Sequence, residues 1–202
     1  LVLHWIRNDY QDSKMLVFVR TKQDATKLRQ SLDAEFPGRA VEIHSNKGQH
    51  TRHAAMSKFR SGEARVLVST DVSARGIDVP ETEVVINFTV PRLSDDYVHR
   101  IGRTGQADRS GVALTLVDPT DEVHLQRILN YLPGENRPVA LEIPDRVDVS
   151  ETPPWEAKAM AKTIDFQKRK ADPTYQGAFH EKKKRSAKKS SKKKNSGRRR
   201  AQ

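Results

Sequence analysis

Hydrophobic positions along this chain change their spacing in a regular alternation. Residues 15–19 (MLVFV) form an unbroken apolar run, the pattern of a short strand covered on both faces. Ala25, Leu28, Leu32 and Phe36 then recur at helical spacing, with Thr21 placed to cap that helix and Pro37-Gly38 to end it. A second strand is predicted over 40–43. The helix after it, over 49–60, turns Ala55, Met56 and Phe59 inward and stops at Ser61-Gly62. Strands over 66–68, 84–88 and 112–117 continue the series. Between the last two, Ser94-Asp95-Asp96 reads as a helix start, a capping hydroxyl followed by two acids. That helix is predicted to run to about Arg103 and to stop at Gly105, and a further one covers 121–132. Strands alternating with helices in this way mean an α/β fold, a parallel sheet with right-handed crossovers and helices on both faces. Such sheets bind ligands beyond the carboxyl ends of their strands, which singles out 20–21, 44–48, 69–80 and 89–92.

After Pro133 the alternation fades. The chain divides into a folded domain over 1–133, an extension over 134–170 and a Lys/Arg-rich tail over 171–202. The extension offers one extended stretch at 139–143, a break at Pro153-Pro154 and a weak helical pattern over 155–169. The tail is expected to be disordered, because it holds too little apolar surface to offset the entropy of ordering it. Charge placement agrees. Residues 181–202 carry twelve Lys and Arg against one acid, which accounts for the whole net charge of +11; the first 180 residues are neutral. Such a run fits either an electrostatic anchor for nucleic acid or a localisation or solubility tail. There is no cysteine, which excludes disulfides and thiolate metal sites. His44, His50 and His53 lie close together but lack the carboxylate neighbours of a metal site. No apolar run approaches the roughly 20 residues that span a bilayer, and no secretion signal opens the chain. A soluble, cytoplasmic setting away from membranes is the expectation. The chain opens on Leu1 in an amphipathic segment, as expected of a piece cut from something longer.

Three segments carry chemistry. The first is 69–80 (STDVSARGIDVP), which leaves a buried strand at the ligand-binding edge. Its carboxylates suit a ribose and its backbone N–H groups a phosphate; equally, Asp71 and Asp78 fit turn caps, with Arg75 paired to one of them. The second is 97–106 (YVHRIGRTGQ), where His99, Arg103 and Gln106 approach one helical face, as do Arg100 and Arg103. Arginines beside glycines with no acid inside the motif suit phosphate oxygens; pairing with Asp95 and Asp96 is the plainer alternative. The third is 43–52 (IHSNKGQHTR), a helix amino terminus with Gln49 and Arg52 one turn apart, ready for nucleic-acid phosphates or simply a capped helix.

In content, order and spacing these segments resemble one family, the second RecA-like domain of DEAD-box RNA helicases. Residues 16–22 (LVFVRTK) are similar to its motif IV, Gln49 and Arg52 to its QxxR element, 69–78 to motif V with the ARGxD core, and 99–106 to the HRIGRxGR motif VI. The resemblance runs from about Leu1 to Leu132. It implies a RecA-like sheet in which Asp78 accepts hydrogen bonds from the ATP ribose, with Gly76 near the nucleotide. Arg103 would reach the γ-phosphate as an arginine finger, and His99 and Arg100 would tie this helix to the partner domain and to motif V. Arg20, Thr21, Gln49, Arg52, Thr70 and Arg75 would meet the RNA backbone. One departure stands out: motif VI ends in a second arginine, and this chain has Gln106 there. Glutamine donates a hydrogen bond but neutralises no charge, so slower hydrolysis is expected.

The 202 residues hold no GxxxxGK[ST] loop and no Asp-Glu-Ala-Asp. By the resemblance, those belong to a first RecA-like domain that also holds Mg2+, so this piece alone is expected to be inactive. The implied partners are ATP with Mg2+, RNA, that first domain, and ribosomal or RNA-turnover assemblies. Two other readings keep a place: a non-catalytic RNA-binding module, suggested by Gln106, and a DNA-directed translocase on the same fold.

Overall fold

A computed structural model describes residues 1–71, 79, 82–105, 110–134, 137–141, 154–172 and 174–175. The chain divides into two units, Leu1–Val149 and Ser150–Gln202. The first holds a parallel sheet of β1 (Met15–Val19), β2 (Ala40–Ile43), β3 (Val66–Thr70), β4 (Val84–Asn87) and β5 (Val112–Thr115), ordered β2-β3-β1-β4-β5. β1 lies at the centre, with Met15 level with Val66 on one side and Val84 on the other. All five of its residues are buried, which is why its sequence is apolar without alternation.

Side chains of β1 alternate between two cores. Met15, Val17 and Val19 pack with Val2 and Ile6 of the amino-terminal segment and with Ala25 and Leu32 of α2 (Lys22–Glu35). Val2 belongs to the one-turn α1 (Val2–His4), and Ile6 to the π-helical turn Trp5–Asp9 that continues it. Leu16 and Phe18 pack with Met56 and Phe59 of α3 (Gln49–Ser61). A crossover to the left of β1 and a return to the right, both right-handed, put α2 and α3 on opposite faces. Each fully buried large side chain of these cores stabilises the fold by about 1.5–3 kcal/mol. A third cluster joins α4 (Ser94–Ile101) to α5 (Glu122–Tyr131) through Val90, Tyr97, Ile128 and Leu132.

The predicted signals at α2 and α3 hold. Thr21 caps α2 in a reciprocal pair with Asp24, each side chain accepting the other's backbone N–H at 3.1 Å. Gly62 ends α3 at φ +82°, a conformation that glycine adopts without strain. α4 departs from expectation at both ends. Leu93, not Ser94, is its N-cap residue, and no side chain caps it. It ends at Ile101, where Gly102, Arg103 and Thr104 donate to carbonyls three or four residues back and tighten the chain into turns. β3 runs to Thr70, beyond the predicted 66–68, because β1 pairs with its last two residues at Phe18 and Val19. β5 stops at Thr115, short of the predicted 117, because β4, its partner among the described residues, ends at Asn87.

The second unit contains α6 (Pro154–Ala171), predicted as a weak helix over 155–169. Pro154 is its first residue, a position where the missing N–H is no loss. Residues 137–141 have no regular structure, and the rest of the extended stretch predicted at 139–143 lies outside the described residues. The tail from 176 onward also lies outside them. Among the described residues no helix is long and apolar enough to cross a membrane.

Candidate functional site

Arg100 organises the carboxyl edge of the sheet. Side chains on a helix lean toward its amino end, so an arginine near the end of α4 reaches back up to the strand termini. Nε and Nη2 donate to Asp71 Oδ1 and Oδ2 at 2.6 and 2.8 Å. Nη1 donates to Asn87 Oδ1 at 3.0 Å and to the Thr89 carbonyl at 2.9 Å. The guanidinium carbon lies 5.0 Å from the centroid of the Phe18 ring. At 3% exposure this charge is tolerated because it is bidentate to a carboxylate and both Nη1 donors are also met. The Asp71 carboxylate is therefore bonded to Arg100, and Arg75, the other candidate for it, lies outside the described residues. Asn87 is fully buried inside an apolar strand, and that misfit of residue type was the available signal for its role.

A second ion pair, with its carboxylate buried and its arginine partly exposed, lies beside it. Arg20 Nη2 donates to Asp121 Oδ1 at 2.5 Å, and Asp121 Oδ2 accepts the Val90 N–H at 3.3 Å. Asp121 is 2% exposed, and Arg20 is the counter-charge set against it. Nothing in its sequence neighbourhood marked it, because Arg20 is 101 residues away.

At the end of β2, Glu42 and His44 lie buried on the α2 side. Lys47 Nζ contacts Glu42 Oε1 at 2.7 Å, and His44 Nδ1 accepts the Asn46 N–H at 3.3 Å. Burial opposes the Glu42 carboxylate, but hydrogen bonds from Lys47 and Thr26 and the Lys47 charge outweigh it and hold it below the ordinary glutamate value. Burial pushes His44 below the ordinary histidine value, with Lys47 and Lys22 adding to the effect against the pull of Glu42.

The expected RNA-facing residues divide. Arg20 and Thr21 are engaged within the chain, the latter through both its N–H and its hydroxyl to Asp24. Thr70 is buried at the end of β3. Gln49 lies exposed in the first turn of α3, its Nε2 3.2 Å from His53 Nε2. Arg52 follows one turn on, its Nε buried without a hydrogen-bond partner. α3 starts from Gly48 with no side-chain cap, leaving its first N–H groups to an outside acceptor. Arg75, Gly76, Asp78 and Gln106 lie outside the described residues.

His99 is exposed on α4. Arg103 does not share its helical face, contrary to the spacing argument, because α4 ends at Ile101 and Arg103 belongs to the following turn. Its carbonyl accepts the Thr82 N–H at 3.0 Å and the Thr82 hydroxyl at 3.2 Å. Its guanidinium pairs with none of the described residues. Arg103 thus lies beside the approach to β4, at the amino edge, and the carboxyl-end rule did not find it. A cavity of about 280 Å³ opens elsewhere on that edge, among Ile6, Tyr10, Leu32, Phe36 and Arg39, and touches none of these candidates.

A family profile described as "Helicase conserved C-terminal domain" matches residues 1–108. The Escherichia coli DEAD-box protein SrmB, solved bound to regulator of ribonuclease activity A, aligns with a TM-score of 0.63 at 32% identity, over 74% of this chain and 88% of that one. The chain belongs to the DEAD-box helicase C-terminal domains. Its RecA-like fold, expected from the motifs, is the fold of that family. ATP-dependent RNA helicase DBP3 of Candida albicans is 44% identical over 137 residues, covering 67% of this chain and 24% of that protein. DEAD-box ATP-dependent RNA helicase 5 of Arabidopsis thaliana is 44% identical over 60% of this chain and 22% of its own length. This DEAD-box domain therefore spans about a quarter of such curated relatives.

Proposed function

We propose that this domain supplies one half of an ATP site, together with part of the grip on the RNA backbone, in an ATP-dependent RNA helicase that separates short duplexes locally. The carrying observation is the contrast within one motif: Arg100 is bonded to Asp71, Asn87 and Thr89, whereas Arg103 has a fixed carbonyl and a guanidinium that pairs with none of the described residues. A permanent, planar cation held in that way suits a ligand arriving from a facing domain. On closure of the two domains, Arg103 offsets charge on the oxygens of the γ-phosphoryl group during transfer to water, and Asp78 takes the ribose. Mg2+, held mainly by the first domain, would supply positive charge that offsets the triphosphate. The first turn of α3, with Gln49 and Arg52, meets RNA phosphates, giving affinity without sequence preference.

In the full-length protein, Arg103→Ala is expected to lower RNA-stimulated ATP turnover by about 10³-fold or more while leaving RNA affinity in place. Turnover equal to wild type would remove the finger reading. The basic run at 181–202 acts as a sequence-blind anchor for RNA. Deleting it should weaken RNA binding most at low salt, and equal affinity at every salt concentration would refute the anchor. A cytoplasmic setting and work on ribosomal or RNA-turnover assemblies fit this reading; SrmB itself is solved with a regulator of ribonuclease activity.

A further inference from the structure

We infer that Thr82 is a positioning residue for Arg103, and that Thr104 and Gly111 lock the turn behind it. The inference rests on the reading of Arg103 as the group offered to the nucleotide. Thr82 is 5% exposed and gives the Arg103 carbonyl two hydrogen bonds, from its N–H and from its hydroxyl, both shielded from competing water. One residue further on, Thr104 Oγ1 donates to the Glu83 carbonyl at 3.0 Å, which also accepts the N–H of Val112, the first residue of β5, at 2.9 Å. The Glu83 carboxylate in turn accepts the Lys14 N–H at 2.7 Å, just ahead of β1. The turn after α4 is thereby fastened to the entrances of three strands.

Gly111 closes the latch from the other side. A Cβ at this position would overlap Thr104 Oγ1 and the Gly105 nitrogen, so glycine is required here for space. These attachments hold the backbone of Arg103, while its guanidinium pairs with none of the described residues. Fixing the base of a long side chain removes part of the search its head must make before it meets a phosphate. Thr82 also lies four residues beyond Asp78, the residue assigned to the ribose, so the same anchor joins the two nucleotide-facing segments through the chain.

The test uses the full-length protein, with RNA-stimulated ATP hydrolysis and equilibrium RNA binding as readouts. Thr82→Val keeps shape and N–H but loses the hydroxyl, and should lower kcat by about two- to tenfold. KM for ATP should stay within about twofold and RNA affinity should not change, and Thr82→Ser should restore turnover. Gly111→Ala should lower kcat further, with Gly134→Ala, whose added methyl meets nothing within 4 Å, as the control. If Gly111→Ala fails to fold, the Thr82 pair still decides. Wild-type kcat in Thr82→Val, or no recovery in Thr82→Ser, overturns the inference while Arg103→Ala remains inactive. Full activity in Arg103→Ala would instead overturn the finger reading on which it stands.

Discussion

Arg100 and Arg103 stand three residues apart in one motif and serve opposite ends. At the carboxyl edge, Arg100 is buried, bidentate to Asp71 and bonded to Asn87 and Thr89; in the neighbouring Arg20–Asp121 and Lys47–Glu42 pairs it is the carboxylate that is buried, each met by a partly exposed cation. In the turn after α4 the order reverses, with the Arg103 backbone anchored and its cation paired with none of the described residues. A buried charge bonded to several internal acceptors is a strut, because removing it strands its partners. A partly exposed charge on a fixed base costs the fold little to lose and is available to a ligand. Residue type and motif membership do not distinguish the two roles; burial and partner count do.

The strongest way to break that comparison is to delete each arginine and measure stability. Arg100→Ala leaves the Asp71 carboxylate, the Asn87 side chain and the Thr89 carbonyl without their donor, and should cost about 3–5 kcal/mol in chemical unfolding of this chain. Arg103→Ala should stay within about 0.5 kcal/mol of wild type in the same measurement. Equal losses would show that both arginines are struts.

A pH titration sharpens the carboxyl-edge half. His44 is depressed below 6.5 in the folded chain, so the unfolded chain takes up its proton first. Its contribution is complete above that value and is lost as pH falls below it. Glu42 is depressed below 4.5, so its contribution is present above 4.5 and is lost as pH falls through its lowered value. Unfolding midpoints should therefore drop between pH 7 and 5 and again below 4.5, and His44→Gln should flatten part of the first drop. An unchanged profile in His44→Gln would discount that residue. The smallest effect tests the other region: Gln106→Arg in the full-length protein should raise RNA-stimulated ATPase by a small factor, and an unchanged or lower rate would show that one finger suffices.

Strand and helix identity was legible because apolar spacing reflects which faces are covered. The central β1 and the capped α2 could be placed within a residue or two. The candidate site was legible as motifs, through the resemblance of four ordered segments to one family. Roles inside a motif were harder to see. The helical spacing of 99–106 suggested a single face for His99, Arg103 and Gln106, but the helix stops at Ile101, where the chain tightens into turns and Gly111 packs against Thr104. Asp121 and Thr82 gave no local signal, since the groups they serve are 101 and 21 residues away.

The amino-acid sequence by itself determined the alternation of strand and helix, the family, the neutral domain followed by a basic tail, and the departure at Gln106. Each of these depends on spacing, order or formal charge, which are properties of the chain read along its length. The tertiary structure alone decided that Asp71 belongs to Arg100, that Asp121 neutralises Arg20, and that Thr82 fastens the turn carrying Arg103. Those assignments depend on which groups lose water together, and that is settled only when the crossovers bring distant strand ends side by side.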